Sequence, residues 1–419
     1  MNISTLFENR DKLTIHVNSI KRLVVAAMIL IGAGVFVVAL MNGQEQRAWS
    51  SLLFNCFFFF NIALIGVAFA NMQEVIAARW GRPVKKIHEG FGAFLPVGAL
   101  LLCLFLVAVK FNFRGAENLY KWMVDPHMLD HFWGKNIWLQ KDFMIYRNIA
   151  ALIGIAVVSY WHLGMVKKRD KLFLDGKKEE ALQYGQKVLD KLRYWSAPIL
   201  VFYAIALSLV AFDMLMSLSP LWFSTLWGGW VFASGMQSML ATLLLILLWL
   251  RRKKEFHGLI STQQLHDVGK LLYGFTIFFA YLTYAHILTY WYGNVPEETE
   301  YYLHRLHEPW IYFILIIPIF VFLVPLFALI PKAAKYTDVW THILCIGILA
   351  SQWCVMLMVV MPEVLKFDGS SLYVPIIEFG LLVGVAGLFL WRWLHFSSKS
   401  CVVGPADPLL IHELAKDHH

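Results

Sequence analysis

The chain has 419 residues, of which 59% are hydrophobic, 16% aromatic and only 15% charged, whereas a soluble domain carries about a quarter charged residues. The formal net charge of +8 does not imply nucleic acid, because basic residues in a membrane protein report orientation. The five cysteines, Cys56, Cys103, Cys345, Cys354 and Cys401, form no close pair and no Cys-x-x-Cys-His occurs, so the sequence contains no disulfide framework, no zinc or iron–sulfur motif and no covalent c-type haem site.

Apolar windows long enough to cross a bilayer, about 20 residues each, recur at 22–41, 50–75, 88–110, 144–166, 196–217, 222–250, 265–292, 309–331, 337–360 and 372–396. Runs such as Phe57 to Phe60 and Leu243 to Leu248 do not alternate, which excludes an outer-membrane barrel. The pattern predicts an all-α polytopic membrane protein with a ten-helix domain over 22–396, an N-terminal segment 1–21 and a tail 397–419 on the same side. Arg10, Lys12, Lys21 and Arg22 ahead of the first span resemble the basic region of a signal peptide. The apolar core behind them is of span length with no small-x-small cleavage site after it, so a retained helix is expected.

Lysines and arginines on the terminal side of these spans number 27, those on the opposite side 9, together all 36. The positive-inside rule therefore expects both termini in the cytoplasm. Two loops exceed connector length. The cytoplasmic one, about 167–195, mixes charges (Lys177-Lys178-Glu179-Glu180) and reads as a short helix lying on the membrane. The outer one, about 111–143, carries Tyr120-Lys121-Trp122-Met123, expected to rest at the interface or to dock a partner. Neither is large enough for a separate catalytic domain. An internal repeat would make spans two to five and six to nine two four-helix groups, and Asp213-Met214-Leu215-Met216 faintly echoes Val355-Met356-Leu357-Met358; whether this marks a duplication is left open by the sequence.

A charge within the hydrocarbon is costly, so an intramembrane acid or histidine is a functional hypothesis. Asp213 and His286 fall at similar depth near the outer ends of spans five and seven, and Tyr281 and Tyr284 add hydroxyls beside His286. That is material for a proton-transfer or quinol-headgroup site. Glu74 with Gln73 and His162 lie near the cytoplasmic ends of spans two and four, with His266 and Asp267 opening span seven, while Glu363 and Glu378 lie near the outer face. Acids and histidines at both ends with hydroxyls and aromatics between suit two half-channels; the alternative is end-of-helix groups that snorkel to water. Gly228, Gly229, Ala233, Ser234 and Gly235 in span six read as close helix packing.

The stretch Tyr290-Trp291-Tyr292-Gly293-Asn294-Val295-Pro296-Glu297-Glu298-Thr299, the stretch Asp213-Met214-Leu215-Met216-Ser217-Leu218-Ser219-Pro220-Leu221-Trp222-Phe223-Ser224-Thr225 and the loop Lys135-Asn136-Ile137-Trp138-Leu139-Gln140-Lys141-Asp142-Phe143-Met144-Ile145-Tyr146-Arg147, on a ten-span plan, resemble the NrfD/PsrC-like membrane subunits of quinol-linked oxidoreductases. Over roughly residues 20–396 the chain looks most like the smaller of the two such subunits, the F subunit, of alternative complex III, a bacterial quinol:cytochrome c oxidoreductase. The resemblance implies two four-helix bundles flanked by one outer helix at each end and no cofactor bound by this chain, with quinone or quinol as a possible ligand. It also implies partners comprising a second NrfD-like subunit, an iron–sulfur subunit and c-type cytochromes, in the bacterial cytoplasmic membrane, with haem c and iron–sulfur clusters in those partners. The Tyr-x-His of span seven departs from an expected aromatic-x-Gln pattern. The expected function is thus a subunit of a quinol-oxidising respiratory complex, with no complete active site in this chain alone. Asp213, His286, Tyr281, Tyr284, Glu74, His162 and Glu378 are its candidates for quinol interaction or proton transfer. A secondary transporter and a passive membrane anchor are the alternatives.

Overall fold

Long apolar windows can satisfy their backbone in lipid only as helices, and the computed structural model, which describes residues 13–129, 134–253, 260–335, 337–365 and 373–416, forms ten helices long and apolar enough to cross a membrane. They are α1 (Ser19–Met41), α2 (Glu45–Val75), α3 (Arg82–Lys110), α4 (Lys141–Leu174), α5 (Lys178–Met214), α6 (Trp227–Arg251), α7 (Thr262–Gly293), α8 (Trp310–Ala328), α9 (Asp338–Val364) and α10 (Ile376–Ser398). No strand forms among the described residues. Arg10 and Lys12 lie outside the described residues.

Helices α2 to α5 close into one four-helix ring and α6 to α9 into another, each helix packing on the next and the last on the first. The rings join through α2 against α6 and α9, and α5 against α6. The three contacts map onto one another when α2 exchanges with α6 and α5 with α9, while the contact of α6 with the start of α3 has no counterpart of that extent between α7 and α2. The first and last helices pair with one another against α2 and α3. Gly380 and Gly384 on α10 make this approach possible: a Cβ on Gly384 would lie 2.6 Å from the Cα of Gly32 on α1. Without a hydrophobic force between helices in lipid, such close backbone contact is what holds them.

Prolines set the irregularities. Pro318 and Pro325 bracket a π-helical turn, Ile319–Leu323, in α8. Pro325 has no N–H for the Val321 carbonyl four residues earlier, and Gln237 of α6 donates to that carbonyl instead at 2.9 Å. Pro362 in α9 deprives Met358 of its partner in the same way, and Arg305 Nε takes the Met358 carbonyl at 3.0 Å. In α3, a 3₁₀ turn at Gly90–Phe94 brings the helix against α2 and α10.

Three sequence expectations are corrected. The segment 167–195 is not a helix lying on the membrane. α4 continues to Leu174 and α5 begins at Lys178, and helices of 34 and 37 residues rise about 51 and 55 Å, well beyond a hydrocarbon core of about 30 Å. They form a hairpin that projects past the spans. Second, the outer loop folds back on the bundle: Tyr120, Trp122 and Met123 are buried, and the Tyr120 hydroxyl donates to the Met214 carbonyl at 3.0 Å. Third, span six begins at Trp227 rather than 222; the turn before it drives Trp222, 2% exposed, into the interior.

Candidate functional site

Polar side chains concentrate at the two ends of the array. At the end carrying both terminal segments, Glu74 of α2 receives Arg82 Nη1 at 2.7 Å and Nη2 at 2.8 Å, and also Lys85. Glu89 accepts from His162 Nε2 at 2.7 Å and lies 3.8 Å from Lys85 and 3.9 Å from Lys86. Lys86 reaches Asp170 of α4 at 2.8 Å, and Arg169 lies 3.2 Å from Asp170 and 3.8 Å from Asp407. Asp407, from the segment after α10, also lies 3.3 Å from Arg82. Each of these side chains is at least 90% buried. The acids Glu74, Glu89, Asp170 and Asp407 balance Arg82, Lys85, Lys86 and Arg169, as burial of charge demands.

This network absorbs two sequence candidates, Glu74 and His162, and adds seven charged residues that the sequence did not single out. Arg82, Lys85 and Lys86 had counted as loop cations and Arg169 and Asp170 as loop charges. Cys401 sits against the network, where burial and the Asp170 charge push its thiol upward, so it stays protonated. Gly185 lets the tail approach α5: a Cβ there would collide with the Ala406 carbonyl oxygen.

At the opposite end Asp213, fully buried, accepts from Trp138 Nε1 at 3.0 Å, Arg147 Nε at 2.8 Å and Asn148 Nδ2 at 2.7 Å. Trp138, Arg147 and Asn148 come from the loop and first turns of α4, so Asp213 ties α5 to α4. Glu378 is held by two bonds from Arg47, at 2.6 and 2.8 Å, joining α10 to α2. Glu363 pairs with Arg305 at 3.0 Å and with Lys121 at 3.5 Å.

His286 stands apart from these pairs. It is 5% exposed, and its Nε2 is buried with no hydrogen-bond partner. Its ring lies 6.4 Å from those of Trp222 and Trp227 and 6.3 Å from Trp230. Trp227 stacks on Trp230 at 4.9 Å, Trp222 on Tyr301 at 4.1 Å, and the Arg305 guanidinium lies over the Tyr301 ring at 3.4 Å. These residues wall a cavity of about 600 Å³ between α6, α7, α8, α9 and the short helix Pro296–Leu306. Thr283, which takes the Trp230 indole N–H at 2.9 Å, and the phenols of Tyr290 and Tyr302 add polar atoms. Burial pushes the Tyr301 and Tyr302 phenols up, which keeps both as hydroxyl donors at neutral pH. Such a chamber, mostly aromatic with a few convergent polar atoms, suits a flat ligand with a polar edge.

Tyr281 and Tyr284 do not join His286. α7 buries Phe279, Leu282, His286 and Tyr290 on one stripe, which sends Tyr281 and Tyr284 to the outer surface, 62% and 61% exposed. The aromatic rings against His286 are those of Trp222, Trp227 and Trp230, while Tyr301 and Tyr302 line the same cavity. The signal available in the sequence was the density of Trp and Tyr near the ends of spans six and seven. Among the described residues, no three His, Cys, Asp or Glu side chains converge as metal ligands.

Between the ends the two rings differ. In the second, Ser234, Gln352, Gln237 and Thr276 form a hydrogen-bonded chain that crosses from α9 through α6 to α7. In the first, Ser159 and Tyr203 bond at 2.7 Å, but Leu152 and Ile155 fill the α4 stripe between Ser159 and Asn148. No protein-family profile and no curated protein sequence matches the chain.

Proposed function

We propose that the chain is an NrfD/PsrC-like membrane subunit of a quinol-oxidising electron-transfer complex of the bacterial cytoplasmic membrane, of the alternative complex III kind, with both termini cytoplasmic. The aromatic chamber around His286 is its quinol-headgroup site. The observation that carries this reading is the unpartnered Nε2 of His286, buried among stacked indoles and phenols at the end opposite the termini. A buried imidazole nitrogen without a partner is costly, and a quinol hydroxyl supplies the missing donor.

Oxidation of a quinol releases two electrons and two protons. The imidazole is placed to take a hydroxyl proton, and the Tyr290, Tyr302 and Thr283 oxygens are placed to orient the ring. The electrons leave to a haem- or iron–sulfur-bearing partner chain, as the resemblance to NrfD/PsrC-like subunits implies. Asp213, Glu378 and Glu74 act in this reading as structural ion pairs, and the polar chain from Gln352 to Thr276 is the material for proton movement through the second ring.

The test uses indole fluorescence. A short-chain quinol analogue titrated into the purified protein quenches Trp222, Trp227 and Trp230 with saturation, and His286→Leu raises the apparent Kd about tenfold or more, the size of one lost buried hydrogen bond. Saturable quenching that is the same in His286→Leu removes the chamber from the proposal.

A further inference from the structure

A second cavity, of about 580 Å³, opens at the opposite end of the molecule, where the first turn of α1 meets the last turn of α10. Lys21, Arg22 and Lys399 stand at its rim with His16, His395 and Ser398. Among the described residues no aspartate or glutamate lines it. Lys21 Nζ donates to the His16 carbonyl at 3.0 Å and lies 5.7 Å from the Trp249 ring, and among the described residues no carboxylate pairs with Arg22 or Lys399. Three cations brought together at one rim repel one another unless an anion joins them.

Towards the membrane the wall turns apolar, with Val25, Leu394 and the half-exposed Trp391. Ile20, Leu23 and Leu30, all more than 70% exposed, lie on the far side of α1, turned away from the cavity. A cationic rim at the helix ends above a lipid-facing apolar wall matches a molecule with a negative head and hydrocarbon chains. The geometry points to this cavity as a binding site for the phosphate headgroup of an anionic phospholipid, clamped by Arg22, Lys21 and Lys399 with its chains along α1 and α10. A free phosphate would engage the rim and leave the apolar wall unused. The α1–α10 pair is the outermost part of the fold, and a lipid bound in this seam ties it to the bilayer independently of any quinol site.

The experiment is native mass spectrometry of the full chain, with whatever subunits accompany it, released from detergent containing phosphatidylglycerol or phosphatidylcholine of identical acyl chains. Phosphatidylglycerol adducts are expected to persist at roughly tenfold lower lipid concentration than phosphatidylcholine adducts, from the attraction of two to three cations. The pair Arg22→Gln and Lys399→Gln is expected to abolish that preference, and Lys187→Gln with Lys191→Gln, exposed on the α4–α5 hairpin, to keep it. Equal retention of the two lipids by the unaltered chain overturns the site, as does a preference that survives Arg22→Gln with Lys399→Gln. Displacement of the adducts by millimolar inorganic phosphate overturns the lipid assignment in favour of a free anion. The comparison of lipids on the unaltered chain stands even if the double variant does not fold, and Lys399→Gln alone then serves as the variant.

Discussion

Glu89 on α3 and His162 on α4 meet at 2.7 Å with both side chains essentially inaccessible to solvent. The bond lies inside a set of four acids, four cationic side chains and His162 itself that closes one end of the first four-helix ring. Lys85 and Lys86 both lean on Glu89, so the carboxylate compensates more charge than the imidazole does. Glu89→Gln leaves four buried cations against three carboxylates, although Lys85 keeps Glu74 and Lys86 keeps Asp170, and so destabilises the protein by about 3 kcal/mol or more, whereas His162→Phe costs less because the charge balance is kept. Thermal unfolding in detergent checks the order; an equal or reversed order contradicts it.

Asp407 reaches back from the segment after α10 to Arg82 and Arg169, and the Ser400 hydroxyl donates to Asp170 at 2.9 Å. Asp407→Asn is expected to loosen residues 399–416 and to speed tryptic cleavage after Lys399 about tenfold. Because the pair is buried, 0.5 M salt should change the unaltered protein's cleavage rate little. A variant cut at the unaltered rate would show that the tail is held by its apolar contacts alone.

Gly384 has no room for a side chain, whereas Gly34, on the same helix as Gly32, has nothing within 4 Å of a built Cβ. Gly384→Leu is expected to separate α1 from α10 and to cost about 1–3 kcal/mol by overpacking. Gly34→Leu should fall within ±0.5 kcal/mol, as surface changes usually do. Denaturation midpoints of the two variants, measured side by side, decide this, and similar losses at both positions would refute the crossing.

Lys135, in the outer loop, donates to the Pro220 carbonyl, and burial lowers its pKa to about 8. The free side chain titrates near 10.4. Between about pH 8 and 10.4 the unfolded loop thus binds more protons than the folded one, so the loop gains stability as pH rises through that window and loses it as pH falls to 8. Hydrogen exchange at the Lys135–Trp138 helix, corrected for intrinsic rates, should show protection increasing from pH 8 to 10. Lys135→Met should remove the dependence, and a flat profile in the unaltered chain would refute the shift.

The ten spans were legible because uninterrupted apolar windows leave little choice but helix. The charge network was not, for two reasons. Some of its partners are distant in sequence, 325 residues separating Arg82 from Asp407, as are those of the separate Arg47–Glu378 pair at the other end, 331 residues apart. A count of loop cations also cannot tell a solvated lysine from Lys85 or Lys86, each only 4% exposed. The candidate site was half legible: His286 stood out as a histidine inside an apolar run. Its neighbours on α7 misled, because Tyr281 and Tyr284 are adjacent in sequence yet lie off the buried stripe, while Trp222 and Tyr301 enter the chamber from segments outside the spans.

The most direct measurement of the central claim is purification from the native membrane in mild detergent, with the visible spectrum, the co-purifying chains by mass spectrometry and quinol:cytochrome c activity read on the same sample. The account predicts haem c absorbance, iron–sulfur and second membrane subunits in the preparation, and activity reduced by His286→Leu while the set of co-purifying chains stays intact. A colourless chain recovered alone, without quinol oxidation, contradicts it.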